Sequence, residues 1–184
     1  MRNIKKEIIS FIKTVLFSLF IVFIINTFLF KFVKVYGNSM YPTLIDGEYG
    51  ISSIYNFKTK GIERFDIVII YIPEINEYLV KRVVGLPNET LSYKNNELYI
   101  NGNLVDEPFL KNAYTNDIKE IFIEENEYYC LGDNREHSKD SRFYGSFDLT
   151  QIDSKDFYVV YPFEEIGRKV KWYYLSIKGC IYEK

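Results

Sequence analysis

The sequence predicts a mostly β protein: an N-terminal transmembrane helix followed by an extracytoplasmic antiparallel β domain. Three observations lead there. Residues 14–30 (TVLFSLFIVFIINTFLF) carry no charge. Beyond them come short runs rich in β-branched and aromatic residues, each punctuated by Gly, Asn, Asp or Pro. Between these runs there is no helical pattern as long as about ten residues, which argues against a parallel βαβ sheet.

The first element is the apolar span. With the flanking EIISFIK and KFV it makes roughly 20 to 25 mostly apolar residues, the length that crosses a bilayer. It is apolar all round, unlike an amphipathic surface helix. A signal peptide that is cut off has a shorter apolar core and a small-residue cleavage site. Here the bulky and charged KFVKVY follows, so the span reads as a retained, single-pass anchor in the cell membrane. Arg2, Lys5 and Lys6 place the N-terminus in the cytoplasm and the rest outside, although Lys31 and Lys34 on the far side dilute this bias.

The β runs are DIVIIYI (66–72), YLVKRVVGL (78–86), ELYING (97–102), EIFIE (120–124), YYCLG (128–132) and FYVVYPF (157–163). YINGNLV reads as a hairpin with Asn101-Gly102 in its tight turn. The organisation expected is an N-terminus and anchor over 1–34, a β domain over 35–163 with a hairpin-rich insertion or small cap near 89–127, and a C-terminal tail over 164–184. In that tail KVKWYYLSI is either a last strand or a membrane-proximal patch.

Composition narrows the partners. At 184 residues and 47% hydrophobic, the chain has enough apolar material for a core and is not disordered. Residues 1–34 hold six basic side chains against one acidic, which leaves 17 basic against 24 acidic for the remainder. An acidic globular part argues against nucleic acid as a partner. Where it meets an anionic phospholipid membrane, apolar side chains must make the contact. Cys130 and Cys180 have no metal-ligand spacing, so no metal is expected; they read as two separate thiols rather than a disulfide, which stays open.

Two residues suggest chemistry. Ser39 lies in VYGNSMYPTL (35–44), and the only histidine of the chain is His137, about a hundred residues away. In YLVKRVVGLPNE, strand alternation puts Leu79, Lys81 and Val83 on one face and Tyr78, Val80, Arg82 and Val84 on the other. Both faces are mainly apolar, so the strand is expected to be buried on both sides. A lysine there loses water, its pKa falls, and the neutral amine can accept a serine proton. The plainer alternative is a lysine that snorkels to the surface or pairs with a carboxylate. The loop LGDNREHSKDSRFYGSF (131–147) interleaves Asp133, Arg135, Asp140 and Arg142 with Gly132, Gly145, Asn134, Ser138 and Ser141. It reads either as a solvated loop or as a buried network that holds a site. A triad of Ser39, His137 and Asp133 or Asp140 is conceivable. His137, however, is flanked by Glu136, Ser138 and Lys139, and reads as exposed.

GNSMYPTL, YLVKRVVGLP and GDNREHSKDSRFYG, in this order behind an anchor, resemble the bacterial type I signal peptidases, and the compact size is similar to the Gram-positive form. Weaker echoes are RFDIVII and YINGNLVDEPFL. The resemblance runs from about residue 35 to 147. It implies a membrane-bound serine endopeptidase without cofactor, acting on secreted or surface precursor proteins that carry signal peptides. By the same resemblance Ser39 is the nucleophile and Lys81 the general base. Ser138 orients the lysine. Asp133, Asp140, Arg82 and Arg142 hold the site by charge pairing, and Gly132 keeps the backbone close. The Ser39 N–H is the implied oxyanion donor; some members add a serine two positions earlier, where this chain has Gly37. Met40, Tyr41 and Leu44 are candidates for the substrate subsite wall, with core packing as their alternative. Asn88-Glu89 replaces the usual Gly-Asp, Phe65 and Glu48 stand where Gly and Asp are common, and the usual Gly-Lys-Ala stretch after Phe147 is lost. Competing functions are a self-cleaving repressor, which would need a DNA-binding domain in place of the anchor, and a specialised or non-catalytic surface-protein or pilus assembly factor on the same fold.

Overall fold

A computed structural model describes residues 4–110 and 113–168; Arg2, the KVKWYYLSI segment and Cys180 lie outside them. Helix α1 spans Ile4–Phe28, 25 residues. At about 1.5 Å per residue it is about 37 Å long, enough to cross a hydrocarbon core of about 30 Å. Side chains such as Phe11, Phe17 and Phe23 point outward and are exposed. Two polar side chains in the span turn back on the helix: Thr14 donates to the Ser10 carbonyl and Ser18 to that of Thr14. A helix satisfied in this way is long and apolar enough to cross a membrane.

The strands that follow are β1 (Phe30–Lys34), β2 (Tyr49–Ser53), β3 (Ile67–Ile72), β4 (Glu77–Gly85), β5 (Thr90–Lys94), β6 (Glu97–Ile100), β7 (Asn103–Val105), β8 (Ile118–Phe122), β9 (Glu127–Leu131), β10 (Phe147–Asp148) and β11 (Ile152–Tyr161). They form a seven-stranded sheet in the order β1-β2-β11-β3-β4-β9-β10 and a four-stranded sheet in the order β7-β6-β5-β8. Neighbours in both sheets are antiparallel. Helices α2 (Ile54–Lys60) and α3 (Ser141–Tyr144) are short. The molecule is therefore mostly antiparallel β behind one apolar helix, as the sequence predicts.

Local chemistry explains the elements. IVIIYI in β3 is a nearly continuous apolar run because it is buried on both faces. One cluster (Val35, Met40, Leu44, Ile67, Ile69, Phe157, Val159) and a second (Val68, Ile70, Val83, Cys130, Phe147, Ile152) use its alternate residues. A third cluster joins Leu91, Tyr93 and Leu98 of the small sheet to Val84, Tyr129 and Leu131, so that sheet packs directly on β4 and β9. Between β6 and β7, Asn101 and Gly102 have φ of 50° and 77°, the geometry of a tight hairpin turn. Cys130 is a buried thiol on β9.

Several elements were not evident from composition. Residues 30–34, grouped with the anchor in the sequence reading, form β1 and pair with β2. β2 (YGISS) has a weak strand signature, yet it is paired on both sides. Its glycine is required there, since a Cβ at Gly50 would lie 2.8 Å from the Tyr158 carbonyl oxygen. β11 begins at Ile152, earlier than its apolar run. Lys155 and Asp66 form a fully buried ion pair at 2.8 Å that lets the polar stretch enter the core. The unusual Phe65 has φ 68°, the left-handed region that favours Gly, and Asn88 has φ 62°, which Asn tolerates.

Candidate active site

The serine loop follows β1. Gly37 N donates to Asp46 Oδ1 at 2.8 Å, closing the loop across its base. Tyr41 N donates to the Asn38 carbonyl and Leu44 N to that of Met40, so residues 38–44 wind tightly. Met40 and Leu44 are buried in the core and act as two pins. Ser39, just before the first pin, is left half-exposed.

Lys81 comes from β4, paired with Val68 of β3. It is 3% exposed. Its Nζ donates to Ser39 Oγ at 2.8 Å and to the Val80 carbonyl at 3.0 Å. Burial is the main influence on this amine and pulls its pKa down to about 8, with Arg142 helping and Asp140 and Asp133 opposing. A lysine so placed is uncharged in a usable fraction near neutral pH and lies within proton-transfer distance of a serine hydroxyl.

The 131–147 loop forms a buried network rather than a solvated surface. Arg82 Nε and Nη2 donate to the two oxygens of Asp133 at 2.8 and 2.6 Å, a bidentate pair with both partners at most 1% exposed. Arg82 also donates to the Phe65 carbonyl and stacks 4.1 Å from the Phe109 ring centroid. Arg142 grips Asp140 in the same two-pronged way, at 2.8 and 2.7 Å. The second oxygen of Asp140 also accepts from Gly132 N at 3.0 Å. Although burial opposes ionisation of Asp140, these donors outweigh it and hold its pKa below the usual value. Ser138 Oγ is buried near Asp140 without a hydrogen bond of ordinary geometry, and it does not bond Lys81. His137 is exposed, its ring 3.3 Å from Asn134 Oδ1; the Ser39 hydroxyl meets Lys81 instead. The Ser-His-Asp alternative is thereby set aside.

Two residues of the loop do more than their sequence positions suggest. Asn134 donates from its backbone to the Ser39 carbonyl and from its side chain to that of Asn38, both at 3.0 Å, and so holds the serine loop. Arg135 is 2% exposed and reaches the Gly132 carbonyl, Tyr93, Thr115 and Glu107, tying the small sheet to this loop. The only sequence sign of either was a polar run, which a solvated loop shares.

A groove of about 600 Å³ opens beside the pair. One wall is residues 31–36, the other residues 77–81, with Ser39, Met40 and Lys81 at one end. Among the described residues, β9 pairs with β4 only from Arg82 onward and β1 pairs only with β2, so both walls are strand edges there. Met40 lines this groove. Tyr41 is exposed outside the lining, and Leu44 is fully buried. Its side chain fills the core, so packing, not a subsite wall, is what Leu44 provides. No group of metal-ligating side chains occurs among the described residues.

The chain is similar in sequence to known proteins. The family described as signal peptidase, peptidase S26, matches residues 8–161. Signal peptidase IB of Staphylococcus aureus strain COL is 36% identical over 179 residues, covering 88% of this chain and 93% of that protein. Signal peptidase I S of Bacillus subtilis strain 168 is 36% identical over 176 residues, covering 89% and 95%. A crystal structure of a signal peptidase I from Enterococcus faecalis V583 aligns with 32% identity and a TM-score of 0.47, over 51% of this chain and 95% of that one. Matched along most of its length by the family and by relatives of this identity, the chain belongs to the signal peptidases of peptidase family S26.

Proposed function

We propose that the chain is a membrane-anchored serine endopeptidase that removes N-terminal signal peptides from exported precursors through a Ser39–Lys81 dyad. The observation that carries this is a dry lysine amine 2.8 Å from a half-exposed serine hydroxyl at the end of a peptide-sized groove. Neutral Lys81 takes the Ser39 proton as Oγ attacks the scissile carbonyl. The resulting ammonium gives that proton to the departing amine, which leaves an ester on Ser39. Neutral Lys81 then activates a water that hydrolyses the ester and restores the serine. The Ser39 N–H faces the developing oxyanion. The pairs Arg82–Asp133 and Arg142–Asp140 keep Gly132 and the serine loop in register. Ser138, whose hydroxyl is buried beside Asp140, orients the lysine as it becomes charged.

The two open strand edges suit a precursor bound as an added strand, with main-chain hydrogen bonds to both walls. Met40 contributes to the subsite floor. The anchor α1 holds the N-terminus in the cytoplasm and the sheets outside. Exposed Phe30 and Phe32 follow the end of the anchor and suit the headgroup level of a bilayer. Confinement of enzyme and precursor to one membrane raises their effective concentration.

The test is cleavage of a signal-peptide precursor by the detergent-solubilised full-length protein. Ser39→Ala and Lys81→Ala abolish cleavage while the fold persists, and His137→Ala changes little. Normal cleavage by Lys81→Ala would remove the dyad from the mechanism.

A further inference from the structure

The groove is bridged at the end away from Ser39. Lys31 belongs to β1 and Tyr78 to β4, on opposite walls, and Lys31 Nζ lies 4.3 Å from the Tyr78 ring centroid. Strand alternation puts Lys31 on the half-buried side of β1 with Val33, which packs on the core. An inward-facing lysine on an edge strand has an ordinary use, blocking edge-to-edge association. Two features go beyond that use. The ammonium is ion-paired with Asp153 of β11, so it is braced in place. Lys31 and Tyr78 also line the same groove as Ser39 and Lys81. The other charged groups lining the groove are less constrained: Lys34, further along β1 toward Ser39, is exposed beside the Tyr36 and Tyr49 rings, and Glu77 is exposed on the opposite wall.

Distance along the strand sets the register. Tyr78 precedes Lys81 by three positions, about 10 Å at about 3.3 Å per residue. In a chain extended along β4 whose last residue before the bond lies opposite Lys81 or Arg82, the Lys31–Tyr78 bridge therefore meets the fourth or fifth residue before that bond. The direction follows from the anchor. Only Leu29 separates α1 from β1, so the Lys31 end of the groove is the membrane end. A precursor held in the same bilayer by its own apolar segment enters there, and the residues before the bond occupy the groove.

We infer that Lys31, braced by Asp153 and Tyr78, reads the charge of the precursor four to five residues before the cleavage site. It favours acidic or neutral side chains there and disfavours lysine and arginine. The inference rests on the peptidase function proposed above. An acidic side chain shares the ammonium with Asp153; a basic one meets like charge in a confined groove. Glu77 offsets part of that repulsion, so the discrimination is partial, about 5- to 10-fold between acidic and basic, as for part-exposed charge pairs.

The experiment uses the full-length enzyme in detergent and three precursors identical except at the fourth and fifth residues before the bond, where both are Ala, both Asp or both Lys. The readout is the Asp-to-Lys ratio of kcat/KM within each enzyme, so a general change in activity cancels. The wild type gives a ratio of about 5 to 10, Lys31→Arg retains it, Lys31→Met brings it within about twofold of unity, and Lys31→Glu inverts it. A ratio near unity in the wild type, or the wild-type ratio persisting in Lys31→Met, overturns the inference while leaving cleavage of the Ala precursor as support for the peptidase. No cleavage of the Ala precursor by the wild type overturns both.

Discussion

Gly132 has no room for a side chain because of Ser39: a Cβ there would lie 2.5 Å from the Ser39 carbonyl oxygen. The same atom would sit 2.5 Å from Ser138 Cβ. Both neighbours are backbone or nearly so, and neither can turn aside. Gly132→Ala is therefore expected to push the serine loop away from Lys81, lowering kcat by about 100-fold or more and stability by about 1–3 kcal/mol. Cleavage kinetics alongside thermal unfolding check this; near-wild-type kcat would contradict the close approach.

The acid limb of the activity profile belongs to Lys81 under the dyad mechanism. Its pKa of about 8 means that kcat/KM rises with pH, about tenfold per unit below 8, and levels off above it. Asp140 opposes the lowering of this pKa and Arg142 promotes it. Asp140→Asn removes the first and frees the second, so the limb moves to lower pH. A limb that stays in place in Asp140→Asn, or moves upward, would count against this assignment.

A lysine held with a lowered pKa also weakens the fold at neutral pH. Between about 8 and 10.5 the unfolded chain binds a proton that the folded chain has lost, so stability rises with pH across that window. Lys81→Met should abolish cleavage and stabilise the protein at pH 7 by up to about 3 kcal/mol. This advantage shrinks as the pH approaches 10.5. Thermal unfolding of both proteins at pH 7 and pH 10 measures it; a less stable Lys81→Met at pH 7 is the contrary outcome.

The two arginine–aspartate pairs differ in depth. Arg82 and Asp133 are at most 1% exposed, whereas Arg142 is 23% exposed. Asp133→Ala strands a buried cation and is expected to cost about 3–5 kcal/mol. Asp140→Ala leaves its arginine a route to water and costs less. Denaturant unfolding of the two variants ranks them, and equal costs would mean that depth is not the deciding factor.

What could be read in advance varied along the chain for physical reasons. The runs around β3, β4, β6, β8 and β9 announce themselves because β-branched and aromatic residues between turn formers have few other conformations. Asn101-Gly102 marks its hairpin by backbone preference alone. β1 is hidden against the anchor because FKFVK continues an apolar run, and β2 because YGISS is held by partners on both sides rather than by propensity. The polar beginning of β11 is stable as a strand only once Lys155 meets Asp66, which is 89 residues away. Asn134 and Arg135 read as loop because their hydrogen bonds run to distant backbone and side chains.

The amino-acid order alone determined an apolar span, a β-rich remainder, and a serine and a lysine in motifs that resemble a peptidase, since these depend on composition and short-range period. Only the tertiary structure decided that the hydroxyl and amine, 42 residues apart, lie 2.8 Å from each other. It also decided that two strand edges, unpaired among the described residues, face across one groove, and that Leu44 fills the core. Such relations arise from register and sheet curvature, which sum contacts over the whole chain and leave no local mark in the sequence.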